Sequence, residues 1–181
     1  MYSALQRLNA LSAFFVTVVF CVLGAVALSG PILNHSAVQK VEAPVIGVQS
    51  VVTKLGRQGY YYDYSQPKTE IGFVHFNVTA DLSPIWNWNT KQLFVYLVAE
   101  YETPSHSTNQ IMLWDDIILT KEDTIIELTD QLAEYRATDI QNKLAGVQAK
   151  LSLHWNVIPH VGILLTDAAG SAPLTFPKVT K

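Results

Sequence analysis

The chain of 181 residues has the length of one domain with a short additional segment. Charged residues make up only 15% and hydrophobic residues 49%, a balance that is typical of a chain with part of its length in lipid, since soluble domains carry roughly 25% charged residues. The formal net charge of −3 argues against nucleic acid as a partner, and the single cysteine, Cys21, excludes an intrachain disulfide and a thiolate metal cluster.

The first predicted element is a membrane-spanning helix. No side chain between Arg7 and His35 carries a charge, and residues 11–33 are dense in Phe, Val and Leu. A helix over these 23 residues would be about 34 Å long, which is enough for a hydrocarbon core of roughly 30 Å. We therefore predict residues 1–10 as a cytosolic N-terminus, residues 11–33 as a signal-anchor transmembrane helix and residues 34–181 as one translocated domain.

A cleaved signal peptide is the alternative for the same segment. Arg7 would belong to its positively charged start, and Ala25-Val26-Ala27 imitates the small-x-small cleavage signature. The length favours an anchor, because the apolar region of a signal peptide has only about 7 to 15 residues. The short N-terminal flank favours a cytosolic N-terminus, with the bulk of the chain on the lumenal or exterior side.

Alternation of apolar and polar side chains dominates the rest of the chain and predicts β-strands. In residues 147–157, six apolar side chains share one face and five polar ones share the other, a pattern that a strand buries together and a helix would not. The same pattern or an apolar run predicts further strands over residues 71–82, 91–101, 110–120 and 41–54, the last as one or two strands broken at Pro44 and Gly47.

Within the translocated domain, a helix is predicted for residues 125–144. Ile125, Leu128, Leu132 and Tyr135 recur at a spacing of three and four, with Glu and Gln between them. Several short strands with one helical insert predict a mainly β fold. We expect an antiparallel β-sandwich with one helical insert behind a single N-terminal transmembrane helix.

No catalytic, cofactor-binding or metal-binding residues are predicted. The chain has no Gly-x-Ser-x-Gly, no P-loop, no dinucleotide glycine pattern and no His-Glu-x-x-His. Asp115 and Asp116 are adjacent in a strand, so they face opposite sides and do not form an acid pair. Solvated surface is the favoured interpretation of the scattered histidines, which are His35, His75, His106, His154 and His160.

Two aromatic groups and two glycosylation sequons complete the candidate sites. Trp86 and Trp88 lie in a predicted loop and are either anchors for a partner or the plug of the sandwich. The Tyr60–Tyr64 cluster is interpreted as a loop or a sheet edge. The sequons begin at Asn34, which abuts the membrane segment, and at Asn77, whose side chain points away from the core by strand alternation.

These segments resemble the signal peptidase complex subunit 3 family, the 22/23 kDa accessory subunit. The resemblance includes the start of the chain, with Met1, Arg7 and Asn9, and the hydrophobic span that follows. Trp-Asn-x-Lys-Gln-Leu-Phe joined to Leu-Ser-x-x-Trp-Asn-Val-x-Pro is its most specific pattern. The matching segments are residues 73–82, 86–97, 99–101, 109–115 and 151–159. Asn77 departs from the aspartate of many members and creates a sequon, and the sequon that some members carry near Gln148 is absent.

The resemblance implies a type II membrane protein of the endoplasmic reticulum with a lumenal β-sandwich. It further implies a noncatalytic, essential subunit of the complex that removes signal peptides from nascent secretory chains. The catalytic serine then belongs to another subunit, which would be a partner of this chain. A secreted or membrane-anchored β-sandwich that binds a ligand through exposed aromatics is the alternative from another functional class.

Overall fold

The computed structural model describes residues 3–57, 67–104 and 106–179, and the Tyr60–Tyr64 cluster lies outside them. Within these ranges one long helix precedes eight strands, with short 3-10 helices at Ser83–Ile85 and Glu122–Thr124. The helix and strands are α1 (Ala4–Val38), β1 (Val45–Arg57), β2 (Lys68–Asp81), β3 (Thr90–Thr103), β4 (His106–Ile118), β5 (Ile125–Leu132), β6 (Ala137–Thr138), β7 (Gln148–Pro159) and β8 (Leu165–Thr175).

Helix α1 contains the whole predicted membrane span. It begins with a capping box, in which the Ser3 hydroxyl accepts the Gln6 amide hydrogen and the Gln6 side chain accepts the Ser3 amide hydrogen. Its 35 residues correspond to about 52 Å. Among the described residues it is the helix that is long and apolar enough to cross a membrane. Its retention as an anchor over residues 11–33 stays a prediction.

The strands form two antiparallel sheets with the core between them. The first sheet has the order β1-β2-β5, with β6 also paired to β2, and the second has the order β4-β3-β7-β8. Alternate residues of the central strands point inward and are almost fully buried, as the alternation predicts. They include Val74, Phe76 and Val78 of β2, Leu93, Val95 and Leu97 of β3, and Leu151, Leu153 and Trp155 of β7. The mainly β sandwich is therefore confirmed.

The predicted helical insert over residues 125–144 is wrong. Ile125–Leu132 is strand β5, paired antiparallel to β2, and turns follow the short strand β6. In the strand Ile126 and Leu128 face the core, whereas Ile125 and Leu132 of the supposed helical stripe are 59% and 46% exposed. The β-branched residues that begin this segment favour a strand, and pairing with β2 outweighs the short helical spacing.

Two other strands differ from the sequence prediction. Strand β1 is continuous from Val45, with a bulge between Val48 and Ser50 instead of a break at Gly47. Strand β8 was not predicted, because its Ala, Gly and Pro residues have low strand propensity. Gly170 of β8 has φ +76°, and a Cβ there would lie 2.9 Å from the Pro44 carbonyl oxygen, so this close approach requires glycine.

The loop after β6 is fixed by buried polar contacts at the end of the sandwich far from α1. The Tyr101 hydroxyl donates to Asp139 Oδ1 at 2.7 Å, and both residues are 6% exposed. Burial, followed by this hydrogen bond, raises the pKa of the Tyr101 phenol. Glu70 Oε2 accepts the amide hydrogens of Leu144 and Ala145 at 2.6 and 2.7 Å. The segment from 139 to 145 is thus held to β2 and β3 without forming a helix.

Candidate functional site

Helix α1 meets the sandwich along one face of its C-terminal third. Residues 4–25 are all exposed, and a half-buried stripe with helical spacing starts after them. A Cβ on Gly162, in the loop between β7 and β8, would lie 3.5 Å from the Ala27 backbone. The half-buried residues of this stripe are Val26, Ala27, Ser29, Gly30, Asn34, Ala37 and Val38.

Two loops join into one structure beside this junction, and we call residues 86–90 and 160–164 the tip. The Asn89 side chain, 3% exposed, donates to the Val161 carbonyl oxygen at 2.8 Å and accepts the Val161 amide hydrogen at 3.2 Å. The Asn89 carbonyl oxygen accepts the His160 amide hydrogen at 2.7 Å. A buried amide that satisfies the backbone of a second loop fixes the two loops relative to each other.

The two tryptophans of the tip have different environments. Trp86 is half-buried and packs against the core, whereas Trp88 is 67% exposed. Ile163 and Leu164 in the facing loop are also exposed, at 64% and 55%. Of the two alternatives given for these tryptophans, Trp86 therefore takes the role of plug of the sandwich. The contact of Trp86 and Trp88 with a partner stays a prediction.

A row of rings lies on the outer side of the second sheet, and we call Phe94, Tyr96 and His154 the aromatic face. The ring centroids of Phe94 and Tyr96 are 5.2 Å apart, and those of Tyr96 and His154 are 5.3 Å apart. Ile117, paired with Phe94 in the register, is 50% exposed beside them. These positions carry a partly exposed aromatic and apolar surface across β3, β4 and β7, with Asp115 opposite Tyr96 in the register.

His154 is half-buried, in contrast to the solvated position expected for it. Burial lowers the pKa of the His154 imidazole, and the Glu100 carboxylate opposes this effect only partly. Its Nε2 lies 2.9 Å from the Ser152 hydroxyl, on the same face of β7. The Ser-x-His spacing on one strand face was the sequence signal for this contact, and it was missed.

The Ser152–His154 contact does not amount to a hydrolytic site. Ser152 is 7% exposed, so a peptide bond cannot reach its hydroxyl without a rearrangement. No carboxylate of the described residues hydrogen-bonds the other ring nitrogen of His154, so the orienting group of a triad is missing there. The described residues also contain no group of three His, Cys, Asp or Glu side chains that could hold a metal ion.

Asn77 lies on the outer side of the first sheet, next to a β-bulge. Its Oδ1 accepts the Asp130 amide hydrogen at 2.7 Å, and Asp130 has φ 50°. The Asp130 carboxylate in turn lies 3.2 Å from Nδ1 of His75. Gly47 faces Asn77 across the β1–β2 pair, and even a Cβ on Gly47 would stay 3.9 Å away. The Asn77 side chain is half-buried on this outer side, and its modification by a glycan stays a prediction.

Comparison with known proteins decides among the functional classes. The family model SPC22, described as signal peptidase subunit, matches residues 1–179. The chain belongs to this signal peptidase subunit family. It is 34% identical over 179 residues to signal peptidase complex subunit 3 of Drosophila melanogaster, covering 98% of this chain and 96% of that protein. It is 33% and 36% identical over 181 residues to the subunits of the same name in Homo sapiens and Gallus gallus, covering 98% of this chain and 95% of each of those proteins.

The family match includes the helix, both sheets and the tip. It therefore extends past the segments that resemble the family in the sequence, and includes residues 116–150 between two of them.

Proposed function

We propose that the chain is a noncatalytic, essential accessory subunit of a signal peptidase complex in the endoplasmic reticulum membrane. One observation carries the proposal, the match to the signal peptidase subunit family over residues 1–179. The complex would remove signal peptides from nascent secretory chains, while a different subunit supplies the catalytic serine. The buried Ser152 and the missing carboxylate at His154 support the noncatalytic role.

The proposed topology is single-pass type II. Residues 1–10 would be cytosolic, residues 11–33 would cross the membrane and the domain from residue 34 would be lumenal. The exposed apolar surface of α1 and its direct continuation into the sandwich support this arrangement. The chain would require no cofactor and would bind no nucleic acid, and it would meet nascent chains only through the assembled complex.

The aromatic face is the surface that we assign to the catalytic serine subunit. Aromatic side chains are enriched at the centres of protein interfaces, because they bury a large area with few rotatable bonds. Phe94, Tyr96 and Ile117 are partly exposed on one side of a rigid sheet. The proposed function assigns this aromatic side of the sheet to a protein in the lumen.

Co-purification tests the proposed function directly. An affinity-tagged full chain, solubilised from membranes in mild detergent, is expected to bring down a serine peptidase subunit. Tyr96→Ala and Phe94→Ala should lower the recovered peptidase about tenfold or more, since a central aromatic contact contributes about 2 kcal/mol or more. Ile140→Ala is the matched control, because Ile140 is 86% exposed in the loop that follows β6.

Each outcome of the co-purification has a separate meaning. Absence of any serine peptidase with the unmodified chain would reject the proposed function. Full recovery with Phe94→Ala and Tyr96→Ala would leave the function in place but would reject the aromatic face as the contact. Loss of recovery with Ile140→Ala would show that the variants act through folding.

A glycan on Asn77 is the expected marker of the lumenal domain. The full chain expressed in cells should run faster on a gel after N-glycosidase digestion. Thr79→Val should abolish this shift, because it removes the sequon and leaves the Asn77–Asp130 hydrogen bond intact. Thr79 is exposed and lies in a strand, where valine is well tolerated.

The second sequon provides the control for this experiment. Asn34 lies in α1 with its side chain half-buried against the domain, so Asn34→Gln should leave the mobility shift unchanged. A shift that persists in Thr79→Val would contradict glycosylation at Asn77. Digestion of the domain by protease added outside sealed microsomes would overturn the proposed orientation.

A further inference from the structure

The apolar part of α1 and the sandwich overlap along the helix axis. Residues 4–25 make no contact that buries them, and this part of the helix is about 33 Å long, close to the roughly 30 Å of a hydrocarbon core. The apolar window extends further, to residue 33, with Leu28 and Ile32 73% and 70% exposed. The domain touches the helix from Val26 onward, which is eight residues or about 12 Å before the window ends.

The tip lies at the level where this overlap begins. Gly162 lies close enough to Ala27 that a Cβ on it would be 3.5 Å from the Ala27 backbone. The loop of Trp88 is hydrogen-bonded to the loop of Gly162 through Asn89. A membrane placed around the free part of α1 therefore ends at the tip. A membrane that extends to residue 33 would reach past the level of the tip.

We propose that the tip inserts into the lumenal leaflet, where Trp88, Ile163 and Leu164 contact lipid, and that the sandwich is thereby held against the membrane surface. The inference rests on the proposed membrane anchoring by α1. It adds a second membrane contact to the chain, separate from the helix, and it fixes the orientation of the domain relative to the bilayer.

The composition of the tip suits lipid. Its ten residues include no Asp, Glu, Lys or Arg, and three of the exposed ones are large and apolar. An indole ring such as that of Trp88 is favoured at the boundary between acyl chains and headgroups, because it has an apolar body and one N–H donor. Asn89 also pairs the backbone N–H and C=O of Val161, so these polar groups need no water when the loop enters an apolar environment.

A neighbouring loop at the same end of the sandwich provides the contrast. It carries exposed Leu119 and Ile125, but the three residues Lys121, Glu122 and Asp123 between them are all charged. Burial of such charges in lipid is unfavourable, so this loop is expected to stay in water. The distinction between the two loops is a property of their sequences and does not follow merely from their position.

Spin labelling of the full chain tests the insertion. Cys21 is the single cysteine and lies in the middle of α1, so a nitroxide on the unmodified chain reports the depth of the helix. In a Cys21→Ala background, Trp88→Cys and Ile163→Cys place the label on the tip, and Ile140→Cys places it on the loop after β6. The labelled chain is reconstituted in phosphatidylcholine vesicles, and collision rates with oxygen and with a water-soluble nickel chelate are compared.

Oxygen collisions should exceed nickel collisions for labels at Cys21, Trp88→Cys and Ile163→Cys, with the reverse at Ile140→Cys. A lipid-exposed label at Cys21 with aqueous labels on the tip would overturn the insertion alone. An aqueous label at Cys21 would overturn the membrane anchoring itself. Tip labels that are aqueous in vesicles and become shielded from both reagents only in the assembled complex would identify a protein contact, which also overturns the insertion.

Discussion

Depletion of this chain from cells is expected to stop signal-peptide cleavage, and re-expression of Ser152→Ala or of His154→Phe, which keeps a ring beside Tyr96, is expected to restore it. An essential subunit without catalytic atoms should be needed for assembly and not for bond breaking. The measurement is the fraction of a secreted reporter that retains its signal peptide. Depletion should raise this fraction to nearly all of the reporter.

These two substitutions are the sharpest test because they remove the best nucleophile and base that the described residues offer. The Ser152 hydroxyl and His154 Nε2 are 2.9 Å apart, which is a productive distance for a serine hydrolase. In a working triad, loss of either residue lowers kcat by roughly 10⁶-fold. Cleavage at the unmodified rate is therefore incompatible with catalysis by this pair.

Assembly must be measured together with cleavage. Ser152 is 7% exposed and its hydroxyl contacts His154, so alanine there removes a buried contact of the sandwich whether or not the residue is catalytic. Recovery of the peptidase subunit with each variant separates the two causes. A Ser152→Ala chain that assembles at the unmodified level but leaves the reporter uncleaved would refute the noncatalytic role.

The parts of the fold that were predictable are those in which local pattern and tertiary burial agree. In β7 the alternation that ends at Val157 places every apolar side chain in the core, and Trp155 is fully buried. In β2, Val74 and Phe76 follow the same rule. The helix α1 was predictable for a similar reason, since its apolar residues face no protein over most of its length and need no partner to be recognised.

The two strands that the sequence did not predict, β5 and β8, depend on pairing that the local sequence does not encode. Residues 125–132 have apolar residues at helical spacing, and only the antiparallel register with β2 buries Ile126 and turns the half-buried Leu128 to the core. Strand β8 is made of small residues that pair with β7, and Gly170 is needed because Pro44 approaches it. Such long-range contacts outweigh the local secondary-structure propensity, and a sequence window of ten residues does not contain them.

The candidate site residues likewise include some whose environment the local sequence could not predict. Exposure of Trp88 and the plug role of Trp86 could not be separated in the sequence, because both residues flank a single asparagine in one loop. Asn89 was the informative residue, since its buried side chain binds the backbone of Val161, 72 positions away. An asparagine directly after Trp88 carries no sequence signal of such a distant partner.

Trp155→Ala is expected to destabilise the sandwich more than any other single aromatic truncation at a described tryptophan. Trp155 is 0% exposed and is the largest of the fully buried side chains. Its removal should lower the free energy of unfolding by about 3–5 kcal/mol, because lost transfer energy and a residual cavity add together. That is a large part of the roughly 5–15 kcal/mol that a domain possesses.

Trp88→Ala is the matched control, since it removes the same side chain at a position that is 67% exposed. Its effect on unfolding should stay within about 0.5 kcal/mol. Trp155→Phe should fall between the two, because it keeps most apolar contacts and also removes an indole N–H that has no hydrogen-bond partner among the described residues. Urea unfolding of the full chain in detergent micelles, followed by far-UV circular dichroism, gives the three values. Equal effects of Trp155→Ala and Trp88→Ala would contradict the placement of Trp155 at the centre of the core.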